Sequence, residues 1–395
     1  MSHPERRLTP ALTGIMAVAI GTIVANLYYL QPLLHLIRGD FRVSTFAASS
    51  LVTLLQIAYA VGLITLVPLG DLVARRRLVV VIFLLAGLAM ALASFAQTFA
   101  LFALSTLVVG LTSIAGQILI PFGADLADPA TRGRSVGRLM TGLLAGALLS
   151  RTVAGFLSES VGWRGVYRAA AGALVLIALL LSRVLPDEGV RPRVTYPSLL
   201  GRTFRLFLDQ PTLRRRCWYG GTAFGAFSVL WTTLAFHLAG PPFHYSTGVI
   251  GLFGLVGLAG ILGANLAGRH ADQRREHVVT WMGAGLVVLS FALLYLAPGS
   301  LPMLLVGVVL LDAGTQMVHV SNQSIIYALA PDQRSSINSV YMLSFFLGAS
   351  LGSLASGAAY SHAGWRGTCL VGLFFGLAAL APALLERSTP LRTTA

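Results

Sequence analysis

Gly162-Trp163-Arg164-Gly165 stands again as Gly364-Trp365-Arg366-Gly367, 202 positions further along the chain. Pro129, Arg132 and Gly155 find Pro331, Arg334 and Gly357 at the same shift. A second pair of marks, Gly70 to Arg77 and Gly268 to Arg275, is offset by 198. The 395 residues therefore read as two related halves of about equal length. What fills the space between the marks is apolar. The chain is 56% hydrophobic and 11% charged, whereas a soluble domain carries roughly 25% charged residues. Its apolar runs reach about 20 residues, enough to cross a hydrocarbon layer of about 30 Å. Backbone groups in lipid must bond within their own segment, so these runs are expected to be helices.

Twelve such segments can be marked, at about 9–37, 46–69, 78–97, 100–124, 136–160, 164–185, 217–239, 247–268, 278–297, 301–329, 335–360 and 365–386. They are called spans 1 to 12 below. Gly, Pro, Asp and Arg break the short loops between them. The stretch 186–216 is longer, carries Pro186, Pro192, Pro197 and Pro211, and is rich in arginine. It separates six spans from six. The expected domains are thus 1–185, a basic linker 186–216, and 217–395. Leu199, Phe204, Leu206 and Phe207 alternate with Arg202 and Arg205 in the linker, which fits either a short helix on the membrane surface or a solvated connector. Arg6 and Arg7 precede an apolar run too long for a signal-peptide core, so the first span is expected to be retained.

The net charge is +14, and all 28 basic residues are arginine. Nucleic acid is excluded as the reason, because the arginines fall in alternating loops. With the N-terminus inside, 22 lie on the inner side and five on the outer. That ratio puts both termini and the linker in the cytoplasm of a multi-pass protein in the cell (plasma or inner) membrane. Cys217 and Cys369 fall near opposite faces, and neither a disulfide nor a metal spacing is expected. Trp163 and Trp365 suit the membrane–water interface, and their flanking glycines allow tight turns.

Six-plus-six spans, a basic inner linker and a Gly-x-x-x-Asp-x-x-Arg loop after the second span of each half resemble the major facilitator superfamily over nearly the whole chain. Gly268, Asp272 and Arg275 fit that loop. Gly70, Asp71, Arg75 and Arg76 fit it with a departure, since Ala74 stands where the family has Asp. In the family these loops help hold the inner gate shut, a role here for Asp71 with Arg75 to Arg77. The glycine spacing of span 5 (Gly142, Gly146, Ser150, Arg151, Gly155) and Asn26-Leu27-Tyr28-Tyr29 in span 1 resemble the drug- and sugar-efflux antiporters. Small residues at that spacing also serve ordinary close helix packing. The resemblance implies an all-α membrane protein, twelve transmembrane helices in two six-helix pseudo-symmetric halves, with a central cavity lined by span 10 among others.

Asp312 is the one acid placed well inside a span. A charge at that depth is costly and marks a functional site by default. Gln316, His319 and Gln323 follow it at helical spacing and share its face within about 40°. A proton-coupled carrier needs a group that changes charge in the physiological range, which a carboxyl in an apolar span or an imidazole can supply. The alternative is a structural polar cluster satisfied by neighbouring helices. Arg151 is the second charge inside a span, at a depth matching Asp312, and a pair between them is expected; otherwise Arg151 reaches the outer surface or main-chain carbonyls. Asn26, Tyr29 and Gln31 in span 1, Gln56 and Tyr59 in span 2, Gln117 in span 4, and Ser228, Trp231, Thr232, Phe236 and His237 in span 7 are the further substrate candidates. Aromatics with few polar groups suit amphipathic organic molecules.

The reading is a secondary active transporter, not an enzyme. It exports a small amphipathic organic compound, drug- or sugar-like, in exchange for protons by alternating access of the two halves. Its expected partners are that substrate, protons and the lipid bilayer; it acts as a monomer and without a cofactor. A phosphate loop for ATP is absent from the sequence. The alternatives are a symporter or uniporter for a small organic anion, with Arg151 as ligand, and a membrane sensor without transport. An enzyme would need nucleophile–base or metal-ligand spacing that the eight histidines do not show.

Overall fold

The computed structural model describes residues 8–128, 131–187, 196–257, 276–329 and 334–385. It is all-helical there, and nine of its helices are long and apolar enough to cross a membrane. Two of the nine are double. Arg132–Val184 folds back at Gly162 (φ 68°) and Arg334–Leu385 at Gly364 (φ 57°). Positive φ is nearly free for glycine and costly for any other residue, which is why the repeated tetrapeptide begins with one. The two fold-backs turn the long helices into spans 5 and 6 and spans 11 and 12. Span 8 is described over Thr247–Val256, so each of the twelve expected segments has a helical counterpart.

The chain divides into two compact units. The first comprises Met1–Arg42, Leu54–Leu200 and Ser246–Gly254; the second comprises Val43–Thr53, Gly201–Tyr245 and Leu255–Ala395. Each unit therefore takes up the first residues of one span from the other half of the sequence. The two exchanged pieces are repeat mates, since Thr45 and Thr247 differ by 202 positions.

In the first unit, span 5 packs against span 1 through glycines. A Cβ at Gly142 would overlap the main-chain oxygen of Ala17, and one at Gly146 that of Gly21. Only residues without a side chain let the two backbones come this close. Further along, a Cβ at Gly155 would sit 2.6 Å from Thr247 O and 3.1 Å from Gly251 Cα. Thr152 Oγ1 donates to Gly251 O (2.9 Å), Gly248 N to Glu159 Oε1 (2.8 Å), and His35 Nε2 meets Thr247 Oγ1 (3.1 Å). In the second unit the device recurs. Cβ atoms at Gly348 and Gly352 of span 11 would overlap Gly221 O and Gly225 O of span 7, and one at Gly357, the mate of Gly155, would meet Ser49, the mate of Gly251.

Three expectations are corrected. The tryptophans of the repeated tetrapeptide do not turn their rings outward to lipid: Trp163 and Trp365 are buried within the protein. Trp163 packs edge-on against Phe102 and Tyr167 and donates to Asp40 Oδ2 (3.2 Å). Trp365 stacks on His237 with centroids 3.9 Å apart and donates to Leu294 O (3.2 Å). Second, span 7 begins earlier than expected: its helix is Pro211–Ala239, with Pro at the first turn as the geometry favours. This removes Arg214, Arg215 and Arg216 from the linker, whose own helix is Tyr196–Asp209. Third, spans 1 and 4 are not single helices. Span 1 is Pro10–Ala25 followed by Leu30–Phe41, and span 4 is Phe99–Thr112 followed by Ala115–Leu126. At both interruptions i→i−3 bonds appear beside the i→i−4 bonds from Tyr29 N to Ala25 O and from Ser113 N to Val109 O. The i→i−3 bonds run from Leu27 N to Val24 O and Tyr28 N to Ala25 O in span 1, and from Ser113 N to Gly110 O and Gln117 N to Ile114 O in span 4.

Candidate transport site

Both interruptions fall near the middle of their spans, and each presents a glutamine to a buried partner. In the first unit Gln31 Oε1 accepts from Arg151 Nε at 2.7 Å. The Arg151 guanidinium lies 4.5 Å from the Tyr28 ring centroid, a cation–π distance, and its Nη1 reaches Ala147 O at 3.4 Å. Arg151 is 4% exposed and Asn26 2%. Neither polar atom of the Asn26 amide has a hydrogen-bond partner among the described residues. In span 4, Gln117 Nε2 donates to Tyr59 Oη at 3.3 Å. Gln56 is buried on the same helix as Tyr59, and Tyr29 is half-buried at the break of span 1.

In the second unit Asp312 is 5% exposed, midway along the apolar helix Leu301–Leu329. Trp231 Nε1 donates to its Oδ1 at 3.4 Å. Trp231 heads a run of rings: Phe227 at 5.9 Å, then Phe224 at 5.2 Å, then Phe345 stacked at 3.8 Å. Phe345 lies 4.8 Å from His319, whose Nδ1 meets Tyr341 Oη at 3.1 Å. Gln316, His319 and Gln323 are half-buried along the stripe that Asp312 begins. A carboxyl, an imidazole and amides on one apolar helix, faced by aromatic rings, can hold and release a proton beside an apolar guest. Thr232 is fully buried and donates to Ser353, the repeat mate of Arg151, at 3.0 Å. It therefore joins spans 7 and 11 at the position where Gln31 and Arg151 join spans 1 and 5.

A family model described as Major Facilitator Superfamily matches residues 16–300 and 277–395. The chain belongs to the Major Facilitator Superfamily. It is 45% identical over 377 residues to the putative uncharacterized transporter YgaY of Escherichia coli K12, covering 95% of this chain and 96% of that one. It is 33% identical to the probable transporter SCO4007 of Streptomyces coelicolor, covering 90% and 83%. The inner membrane transport protein YnfM of Escherichia coli K12 is 26% identical, with 95% and 91% covered. Among solved structures, a bacterial homolog of the human lysosomal transporter Spinster superposes with a TM-score of 0.82 at 15% identity, covering 99% of both chains. The D-xylose-proton symporter gives 0.72 at 16%, covering 96% and 97%. At such identities the likeness is one of fold. This superfamily member is accordingly a multi-pass membrane protein of twelve-helix fold, a secondary transporter and not an enzyme.

The loop residues are divided. Arg75 opens the helix of span 3 and bonds Asp125 at the end of span 4 (2.7 Å), over the Phe122 ring. Arg76 pairs with Asp187 (2.8 Å) and with Ser182 O. Gly70 sits in the 3-10 turn Pro68–Asp71; the side chain of Asp71 lies outside the described set, as do Gly268, Asp272 and Arg275. Sequence reasoning missed Arg216. It is 1% exposed, bonds Thr280 Oγ1 (3.1 Å) and His277 Nδ1 (3.0 Å), and lies 5.3 Å from the Tyr219 ring. Asn322 and Tyr341 continue the network to His319. The signal available was Pro211, which places Arg216 a turn and a half into a helix rather than in a loop.

Proposed function

We propose that this transporter exports a small amphipathic organic compound, drug- or sugar-like, in exchange for protons, with Asp312 as the proton-carrying group. The observation that carries the reading is Asp312 itself: a buried carboxyl at mid-span, oriented by an indole N–H and continued by Gln316, His319 and Gln323 toward a second titratable side chain. A group in that position has no packing reason to be acidic, and its insertion is costly. The mid-span interruptions of spans 1 and 4 support a substrate site there, because broken helices mark the binding level in transporters. Asn26, Tyr29, Gln31, Gln56, Tyr59, Gln117, Trp231, Thr232, Gln316 and Gln323 are its proposed substrate side chains, with His319 and Arg151 assisting the proton step. The Arg151–Asp312 pair, the gating role of both Gly-Asp-Arg loops, the inner-membrane location with cytoplasmic termini, the two six-helix halves and the monomeric state belong to the same proposal.

The test is proton flux. The protein is reconstituted in vesicles with a trapped pH dye, and amphipathic cations, sugars and organic anions are added in turn. A substrate gradient that drives protons the opposite way supports exchange; movement in the same direction, or none, refutes it. Asp312→Asn should abolish the proton signal, and unchanged coupling in that variant sinks the role of Asp312. Exchanging the charges at 151 and 312 tests the pair.

A further inference from the structure

We infer that His319 meets the transported compound as a neutral hydrogen-bond donor: its Nε2–H takes an acceptor oxygen of the guest, and Tyr341 holds the ring in the tautomer that allows this. The inference rests on the proposed transport reading only in placing His319 on the substrate's path. It narrows the help that His319 gives to binding and leaves the proton itself to Asp312.

The tautomer follows from which groups can donate. The Arg216 guanidinium has hydrogens to give and no lone pair to offer. Its Nη1 faces Asn322 Oδ1 at 3.5 Å, and its main-chain oxygen faces Asn322 Nδ2 at 3.3 Å. Both neighbours demand the same orientation of the amide. Turned over, the amide would set N–H against guanidinium and oxygen against carbonyl. Asn322 Nδ2 therefore gives its second hydrogen to Tyr341 Oη, 3.4 Å away. The phenol's own hydrogen then needs an acceptor, because Tyr341 is 0% exposed and an unmet buried donor is costly. Among the described residues the other partner of that hydroxyl is His319 Nδ1, at 3.1 Å. Nδ1 accepts, so the ring's one hydrogen sits on Nε2. A hydrogen on Nδ1 would confront a phenol hydrogen with nowhere else to go.

A separate observation concerns the free side of the ring. Tyr341 and Asn322 are sealed at 0% exposure, whereas His319 is half-buried and no described residue bonds its Nε2. The imidazole lies 4.8 Å from Phe345, which stacks on Phe224 at 3.8 Å. Gln316 and Gln323 flank it one turn away in each direction along the helix. A fixed N–H beside aromatic rings suits a flat apolar guest that carries a carbonyl, ether or sulfonyl oxygen. Tyr341 touches no guest and is a positioning residue.

Two measurements test this. The first is nuclear magnetic resonance of the protein with isotope-labelled histidine, in lipid vesicles at neutral pH. The His319 signals are those missing from His319→Gln. They should report a hydrogen on Nε2 alone, with Nδ1 shifted as a hydrogen-bond acceptor. In Tyr341→Phe, which keeps the ring and loses the hydroxyl, the Nδ1 signal should move to that of an unbonded nitrogen. A hydrogen on Nδ1 in the parent, or an Nδ1 signal that Tyr341→Phe leaves in place, overturns the inference. The second is thermal unfolding in detergent with acetophenone against α-methylstyrene and tetralone against tetralin, compared at equal free concentration. Each pair differs in its carbonyl oxygen. At least one ketone should stabilise the protein at about tenfold lower concentration than its hydrocarbon, a difference of about 1.4 kcal/mol. His319→Leu should erase that preference, and His319→Gln, which keeps an N–H, should retain most of it. The inference fails if neither ketone outdoes its hydrocarbon, or if folded His319→Leu keeps the preference. Tautomer and preference are both read in the parent, so it can fail even where a variant does not fold. Proton flux without ketone preference counts against this inference alone, and ketone preference without proton flux against the proton reading alone.

Discussion

Replacing Gly146 with alanine should loosen the first unit, and the structure sets the size of the effect. A Cβ there would run into the oxygen, carbonyl carbon and Cα of Gly21. A flexible side chain could swing aside; a helix backbone cannot, so spans 1 and 5 must part along the seam. Alanine favours a helix over glycine by up to about 1 kcal/mol. Overpacking costs about 1–3 kcal/mol, and a backbone obstacle puts this site at the upper end. The overlap wins, with a net loss of about 2 kcal/mol. Gly172 in span 6 is the control, since no atom lies within 4 Å of where its Cβ would stand. There only helix propensity acts, and Gly172→Ala should be neutral or gain up to about 1 kcal/mol. Thermal unfolding of the purified proteins, followed by tryptophan fluorescence, reads both. The reasoning is refuted if Gly146→Ala melts at or above the parent, or if both variants move in the same direction.

Arg216→Ala should cost about 3 kcal/mol, because it empties a buried site and removes the bonds to Thr280, Asn322 and His277; exposed Arg77→Ala should leave the melting midpoint within error. Gly162→Ala should cost about 1–3 kcal/mol, because φ 68° with ψ 169° is a conformation essentially open to glycine alone, and Gly364→Ala (φ 57°, ψ −147°) a similar amount, seen as matched drops in denaturation midpoint. Glu159→Ala removes the acceptor for Gly248 N and should make a cysteine placed at Val249 label faster with a membrane-impermeant maleimide. An unchanged labelling rate would show that this contact does not hold the segment.

The architecture was legible because lipid imposes one solution on long apolar runs, and because the repeat marked where the chain folds back. Gly162 and Gly364 could be read as turns, since a tetrapeptide that keeps its first glycine after duplication has a backbone reason to do so. That Asp312 and Arg151 lie inside long apolar helices was legible from counting residues along the chain. The winding faults in spans 1 and 4 were not. Asn26, Leu27, Tyr28 and Tyr29 are all compatible with a regular helix, and local winding there is settled by what packs against it. Arg216 was hidden by its neighbours: three arginines in a row read as a loop, although a helix turns them to different faces and buries only the last. Thr232 was placed in the site by span identity; its bond to Ser353 was not legible, because packing and not sequence decides which residue of span 11 it meets.

The winding fault in span 1 has a mechanical corollary. Tight turns advance about 2.0 Å and 120° per residue, against 1.5 Å and 100° in an α-helix. Three residues passing from one winding to the other would shorten the rod by about 1.5 Å and twist its far end by about 60°. The glycine seam lies wholly on one side of that point, from Ala17 to Gly21, so a change of winding there would move the half beyond it only by breaking the bonds of Gln31, His35 and Asp40. Gln31 sits beyond the break, so its bond to Arg151 ties that half of span 1 to span 5.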